Sequence, residues 1–162
     1  MSKIKDILND KNTILVFDID GVLALMEWGE YNHFGQTDEE WTKMYQDNNL
    51  NYYTEECVSK RMQDFLKDKD KSKLYVITKA YSENEWKDKI NFANKFYNIP
   101  KEHVFYVDSN NKKADVLIDI AKKYKEIDEH HIAIIDDTVE VLNDVKAKTH
   151  YTTIHISSFL DL

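Results

Sequence analysis

Short apolar runs recur along the chain, and segments with a helical spacing of apolar residues separate most of them. Each run is rich in β-branched or aromatic side chains, as is typical of buried strands. The runs are Thr13–Phe17, Leu74–Ile77, Val104–Val107, Ile132–Ile135 and Thr153–Ile156. Strands that alternate with helices predict a parallel sheet with helices on both faces. We therefore expect an α/β fold, a Rossmann-like three-layer sandwich around a five-stranded parallel sheet.

Helices are predicted where apolar residues recur every three or four positions. One is expected over Thr54–Lys67, and three more follow the second, third and fourth strands. Their inward faces are marked by Val58, Met62, Phe65 and Leu66; by Trp86, Ile90, Ala93 and Tyr97; by Val116, Leu117, Ile120, Ala121 and Tyr124; and by Val141, Leu142 and Val145.

The connection between the first two strands is the longest and is rich in aromatic residues. We interpret residues 24–55 as a small insertion, or cap, within a single domain that spans residues 1–162. A helix is expected at Asp38–Gln46 inside it. Because the insertion follows the first strand directly, it should lie over the carboxyl end of that strand.

The composition excludes several classes of function. The chain carries a net charge of −8 and its only arginine is Arg61, so it offers no basic patch to nucleic acid. A single cysteine, Cys57, excludes an internal disulfide or a Cys-rich zinc site. The apolar runs are far shorter than the ~20 residues that span a bilayer. The first ten residues lack the apolar core of a signal peptide, and we expect a cytoplasmic protein.

Two carboxylates follow the first strand, where the sequence reads ILVFDIDGVL over residues 14–23. Ligands of open parallel sheets bind at the carboxyl ends of the strands. Asp18 and Asp20 would be costly there unless a cation or a function holds them. The alternative is a structural turn, because Asp-x-Asp-Gly is also a favourable turn sequence.

The fourth strand also ends in carboxylates, Asp136 and Asp137. Asp137 could cap the next helix, with Glu140 in the first turn, but Asp136 has no such structural role. Carboxylates that converge on one sheet edge repel each other unless a hard cation such as Mg²⁺ lies among them.

Two further polar positions fall at the same predicted edge. Thr78 ends the second strand, and Lys112 and Lys113 open the helix after the third. Each lysine alone is most simply a solvated side chain, but at this edge it could neutralise carboxylates and hold a phosphate. Asp108 ends the third strand, where it could cap a helix together with Ser109 or orient a lysine, and we expect the cap.

Taken together, these segments resemble the haloacid dehalogenase superfamily over residues 12–145. The shared pattern is strand-Asp-x-Asp, strand-Thr, a lysine at a helix start, and strand-Asp-Asp. Asp20 stands where phosphatases and phosphotransferases of that family carry an aspartate and its dehalogenases do not. We expect the spatial strand order 5-4-1-2-3, with the polar residues at the carboxyl edge.

The resemblance implies a role for each matching residue. Asp18 would be the nucleophile that forms an aspartyl-phosphate, and Asp20 would protonate the leaving oxygen and then activate water. Thr78 would hydrogen-bond the phosphoryl group. Lys113 would steady the nucleophile and the phosphate, because apolar residues follow it at the family's spacing, with Lys112 as the alternative.

The resemblance also implies a Mg²⁺ cofactor. Asp18, Asp136 and the main-chain carbonyl of Asp20 would bind it. Asp137 would assist, and Glu140 is a second candidate for that assisting role.

The expected function is hydrolysis of a small phosphorylated metabolite by a Mg²⁺-dependent phosphatase, of a small-cap or capless, deoxyribonucleotidase-like type. The substrate could be a nucleoside monophosphate or a sugar phosphate, whose leaving group Trp28, Tyr31 and Phe34 would frame. Two alternatives are a signalling receiver domain, which also places aspartates after its first and third strands, and a catalytically silent phosphate-binding module.

Overall fold

The computed structural model describes residues 3–25, 37–48 and 52–161. Its centre is a five-stranded, all-parallel sheet in the spatial order β3-β2-β1-β4-β5. This confirms the predicted α/β architecture and strand order. The strands are β1 (Ile14–Phe17), β2 (Leu74–Lys79), β3 (Val104–Val107), β4 (Ile132–Asp136) and β5 (Thr152–His155).

Helices cover both faces of the sheet and make it the middle of three layers. Neighbouring residues of a strand point to opposite faces, so the strands contribute to two separate apolar cores. Helices α5 and α6 pack on one face, and the other helices contribute to the second core. The helices are α1 (Lys3–Asn9), α2 (Asp38–Asn48), α3 (Lys60–Leu66), α4 (Glu83–Tyr97), α5 (Lys113–Ala121) and α6 (Val139–Lys148).

Most predicted boundaries lie within two residues of the observed ones, but the single helix expected over Thr54–Lys67 is wrong. The structure has a short 3₁₀ turn at Glu55–Cys57, and α3 begins only at Lys60, capped by the Ser59 hydroxyl. Val58 between them is extended because it bridges to Ala24. This tertiary pairing outweighs the local helix propensity of the segment.

A tight turn carries the chain from β1 past the second aspartate. The main-chain amides of Val22, Leu23 and Ala24 all donate to the carbonyl of Ile19. Gly21 has a φ of 76°, a left-handed conformation that a residue without a Cβ adopts readily. The turn fixes where Asp20 leaves the sheet edge.

The described part of the insertion contributes to the main core. Helix α2 starts at Asp38 as predicted, and Trp41 and Tyr45 on it are buried together with Tyr53. Trp28, Tyr31 and Phe34 lie outside the described residues, so their role in framing a leaving group stays a prediction. Over the described ranges, no helix is long and apolar enough to cross a membrane.

Candidate functional site

The carboxyl ends of β1 and β4 bring three carboxylates together. The two strands are neighbours in parallel register, and the amide of Asp18 donates to the carbonyl of Ile135 at 3.0 Å. This places Asp18 beside Asp136, and Asp137 follows directly. One carboxylate oxygen from each of the three residues lies within 4.8 Å of the other two. Sequence reasoning placed all three at this edge, and the register of the sheet explains why they meet.

Lys113 bridges this cluster from the first turn of α5. Its ammonium lies 3.0 Å from Asp18 Oδ2 and 2.9 Å from Asp136 Oδ2, and its side chain is only 1% exposed. The neighbouring Lys112 is solvent-exposed and pairs with Asp108 at 2.7 Å. The structure therefore brings Lys113 into the cluster and leaves Lys112 outside it.

Asp108 differs from its expected role as a helix cap. Its exposed carboxylate binds the Lys112 ammonium, and the short helical turn after Ser109 has no side-chain cap. An i,i+4 ion pair across the start of α5 is the interaction that this spacing favours.

Burial and mutual repulsion perturb the acidic groups of the cluster. Burial, followed by the charge of Asp18, raises the pKa of Asp136 to about 7 even though Lys113 opposes the shift. The same two causes raise the pKa of Asp137. Burial alone would lower the pKa of Lys113, but Asp18 and Asp136 outweigh it and hold that pKa above its usual value. The Lys113 ammonium contacts two of the three carboxylates, so the cluster favours an additional positive charge.

The donor set fits a hard divalent cation such as Mg²⁺. Asp18 Oδ1 is buried, and no group in the described part of the chain donates a hydrogen bond to it. An unpaired buried carboxylate oxygen is costly unless it binds a cation, and Mg²⁺ prefers oxygen ligands. Asp18, Asp136 and Asp137 are therefore the described residues that are placed to hold a divalent cation.

Asp137 joins the cluster because it does not cap α6. The N-cap of α6 is Thr138, whose amide donates to Asp136 Oδ1 at 2.9 Å. Glu140 is exposed on the first turn of the helix and does not belong to the group of neighbouring carboxylates. Of the two candidates for an assisting acid, only Asp137 is placed with Asp18 and Asp136.

Thr78 lies at the same edge, one strand away from the carboxylates. The register of β1 with β2 pairs Phe17 with Val76, so Thr78 falls one position beyond the level of Asp18. Its side chain is fully buried, with a weak 3.4 Å hydrogen bond from Oγ1 to the Lys79 carbonyl. A hydroxyl so weakly engaged can donate to an anion bound at the edge.

Asp20 has a different environment from the other three aspartates. Its carboxylate is outside the cluster and accepts hydrogen bonds from the Tyr53 hydroxyl at 2.9 Å and from the Lys89 ammonium at 2.7 Å. The Asp20 side chain therefore belongs to a separate hydrogen-bonded group, and the metal role that the resemblance implies for its main-chain carbonyl stays a prediction.

Sequence reasoning missed Glu85 and Lys89, the two buried charged residues of α4. The predicted inward face is confirmed at Ala93 and Tyr97. Trp86 and Ile90 are only half-buried, however, and the buried face also includes Glu85, Lys89 and Phe92. An i,i+4 Glu–Lys pair is normally read as a solvent-exposed ion pair. The one available signal was that Phe92 and Phe96 continue the same helical stripe.

Comparisons of the chain with protein-family models, with curated proteins and with solved structures returned no match. Functional inference therefore depends on the geometry and chemistry of the site itself.

Proposed function

We propose that this protein is a Mg²⁺-dependent phosphomonoester hydrolase that acts through an aspartyl-phosphate on Asp18. The observation that carries the proposal is the arrangement around that residue. Lys113 contacts Asp18 Oδ2 at 3.0 Å, whereas Asp18 Oδ1 is buried without a donor among the described residues. One oxygen is held by a cation and the other is available to a metal ion or to phosphorus.

The proposed reaction has two steps. Asp20 enters the first step as the protonated acid. A carboxylate oxygen of Asp18 attacks phosphorus, the bond from phosphorus to the ester oxygen breaks, and Asp20 gives its proton to the departing oxygen. In the second, Asp20 takes a proton from water as the water oxygen attacks phosphorus, which releases inorganic phosphate and restores Asp18. The sum is a monoester and water converted to an alcohol and phosphate.

The remaining residues of the site would stabilise negative charge on the transferred group. When bound, Mg²⁺ supplies Lewis-acid stabilisation of the phosphoryl oxygens. Lys113 offsets the repulsion between an anionic nucleophile and an anionic substrate, and Thr78 donates a hydrogen bond to a phosphoryl oxygen. Asp136 holds the Lys113 ammonium in place at 2.9 Å.

The charge near the site favours a small substrate over a long polyanion. Lys79, next to Thr78, pairs with Asp38 at 2.7 Å, which brings the first turn of α2 to the edge of the sheet. Glu39 and Glu40 in that turn are exposed, and they would repel an extended phosphate chain. A nucleoside monophosphate or a sugar phosphate meets these requirements.

The receiver alternative has less support. A receiver carries its acidic residues after the first and third strands, but the Asp108 carboxylate is exposed and paired with Lys112. The cluster instead joins the ends of β1 and β4. A catalytically silent phosphate-binding module would have the same site geometry. Measurement of substrate turnover distinguishes it from an enzyme.

A phosphatase assay tests the proposal. The protein is incubated with Mg²⁺ and a panel of nucleoside monophosphates, sugar phosphates and para-nitrophenyl phosphate, and released phosphate is measured. We expect hydrolysis of at least one compound, loss of activity in excess chelator, and loss of activity in Asp18→Asn. The matched control is Asp108→Asn, an aspartate at the end of β3 outside the cluster, which should retain activity.

Two results would contradict the proposal. One is phosphate binding without turnover of any panel member, which would favour the silent module. The other is full turnover by Asp18→Asn, which would require a different nucleophile.

A further inference from the structure

Lys89 is a buried lysine that the proposed reaction does not use. Its side chain is 1% exposed, and its ammonium has three acceptors from three parts of the chain. They are Asp20 Oδ2 at 2.7 Å, Glu85 Oε1 at 2.9 Å and the main-chain carbonyl of Lys79. An ammonium has three N–H donors, so every one of them is engaged.

These contacts join Lys89 to residues of the candidate site. Asp20 is the proposed acid and base, and the Lys79 carbonyl directly follows Thr78 at the end of β2. Glu85 lies one helical turn before Lys89 on α4. A charge taken out of water costs several kcal/mol unless its partners are well placed. The engagement of all three donors explains how this site tolerates a lysine.

Tyr53 approaches the same carboxylate from the other side. Its hydroxyl donates to Asp20 Oδ1 at 2.9 Å, and its ring lies 5.3 Å from the Lys89 ammonium. Tyr53 is buried and lies near the end of the insertion. Both carboxylate oxygens of Asp20 therefore accept a hydrogen bond from a buried donor, which restricts rotation of the carboxylate.

Glu85 completes the network and connects it to the insertion. It is 1% exposed and accepts hydrogen bonds from the Tyr81 amide at 2.9 Å and from the Trp41 indole at 3.4 Å. Trp41 is on α2, so the position of Lys89 depends on the packing of that helix through Glu85.

We propose that Lys89 and Tyr53 are positioning residues that hold the Asp20 side chain in the orientation from which its protonated form gives a proton to the leaving oxygen. The inference rests on the proposed function, because it assigns Asp20 the role of acid. Through Glu85, it also makes the insertion part of the support for the acid rather than only a cover over the sheet.

A merely structural role for Lys89 makes a different prediction from a positioning role. If Lys89 only stabilises the fold, its loss lowers the amount of folded protein and affects all substrates alike. If it orients the acid, its loss affects substrates whose leaving group needs a proton. An alkoxide needs one, whereas para-nitrophenolate is a stable anion in neutral water.

The experiment compares kcat/KM for ethyl phosphate and for para-nitrophenyl phosphate in Mg²⁺. This ratio of constants reports only on steps up to departure of the leaving group, so the later use of Asp20 as a base does not enter. For Lys89→Met we expect a roughly 10- to 100-fold loss with ethyl phosphate, part of what a general acid contributes, and at most a ~3-fold loss with the aryl ester.

A second variant covers the case in which Lys89→Met does not fold. Tyr53→Phe removes one hydroxyl and keeps the ring, and should cost roughly 2- to 10-fold on ethyl phosphate alone, as one hydrogen bond would. The matched control is Tyr75→Phe. Tyr75 is equally buried, and its hydroxyl pairs with that of Tyr124 in the core on the opposite face of the sheet from Tyr53. It should not change the preference between substrates.

The outcomes separate this inference from the proposed function. Selective loss on ethyl phosphate, with partial recovery in Lys89→Arg, supports the positioning role. Equal losses on both esters in Lys89→Met or in Tyr53→Phe overturn it while the phosphatase proposal stands. A wild-type protein that hydrolyses neither of these esters nor any other member of the phosphomonoester panel overturns the proposed function, and the positioning role with it.

Discussion

Removal of the buried ammonium at the carboxylate cluster should destabilise the metal-free protein strongly. Lys113→Met keeps most of the side-chain volume and deletes the charge between Asp18 and Asp136. Both carboxylates then remain buried without their cation. The adjacent Lys112 provides a matched control, because Lys112→Met deletes an ammonium one residue away whose ion pair among the described residues is with the exposed carboxylate of Asp108.

The two variants should differ in unfolding free energy by several kcal/mol. Breaking a buried ion pair by removing one partner costs about 3–5 kcal/mol. An exposed i,i+4 pair contributes about 0–1 kcal/mol. Lys113 contacts two carboxylates whose side chains are 8% and 0% exposed, so its removal should have the cost of breaking a buried ion pair. Removal of Lys112 should have the smaller cost of breaking an exposed pair.

The decrease in unfolding free energy caused by Lys113→Met should also depend on pH. Burial and Asp18 raise the pKa of Asp136 to about 7 in the folded protein, above its value in the unfolded chain. A carboxyl with a raised folded pKa stabilises the fold below its unfolded pKa, and that stabilisation is lost as pH rises through the folded pKa. Protonation of Asp136 can replace the missing ammonium at low pH, so the destabilisation should be larger at about pH 8 than at about pH 6.

Denaturant unfolding in excess chelator measures both effects for the wild type and the two variants. We expect a large, pH-dependent decrease in unfolding free energy for Lys113→Met and a small, pH-independent decrease for Lys112→Met. Losses that agree within about 0.5 kcal/mol, the usual range for surface substitutions, would refute this expectation.

Three further predictions concern the metal, the hydroxyl and the acid. Mg²⁺ should raise Tm by several degrees in the wild type, more at about pH 7.5 than at about pH 5.5, because protonated Asp136 competes with the ion; an equal rise in Asp136→Asn would contradict this. Thr78→Val should leave Tm within a few degrees and lower kcat roughly 10-fold or more, and unchanged kcat would remove Thr78 from the site. Asp20→Asn should lower kcat roughly 10²–10⁴-fold; an effect on KM alone would argue against acid–base catalysis.

The fold was predictable because its signals are local and strong. Five β-branched runs alternate with helical segments, and the parallel topology then brings Asp18 and Asp136 to one edge. The error at Val58 has a different origin. Its extended conformation depends on a bridge to Ala24, more than thirty residues earlier in the chain. The local spacing of apolar residues does not predict a contact with so distant a residue.

The site was predictable only in part for a similar reason. Residues that end strands, such as Asp18 and Thr78, are placed by the sheet itself. The choice between Lys112 and Lys113 depends on the rotation of α5, which buries one lysine and exposes the other. Lys89 was missed because its partner Asp20 is distant in sequence, and a charged residue on a helix is normally exposed.

Identification of the phosphorylated residue tests the central claim most directly. The protein is mixed with Mg²⁺ and the most active phosphomonoester labelled in its phosphate, quenched in acid during turnover, and digested for mass spectrometry. The account predicts a labelled peptide with the phosphoryl group on Asp18, and none in Asp18→Asn. Label on Asp20, or on Asp108 as a receiver would carry it, would contradict the account.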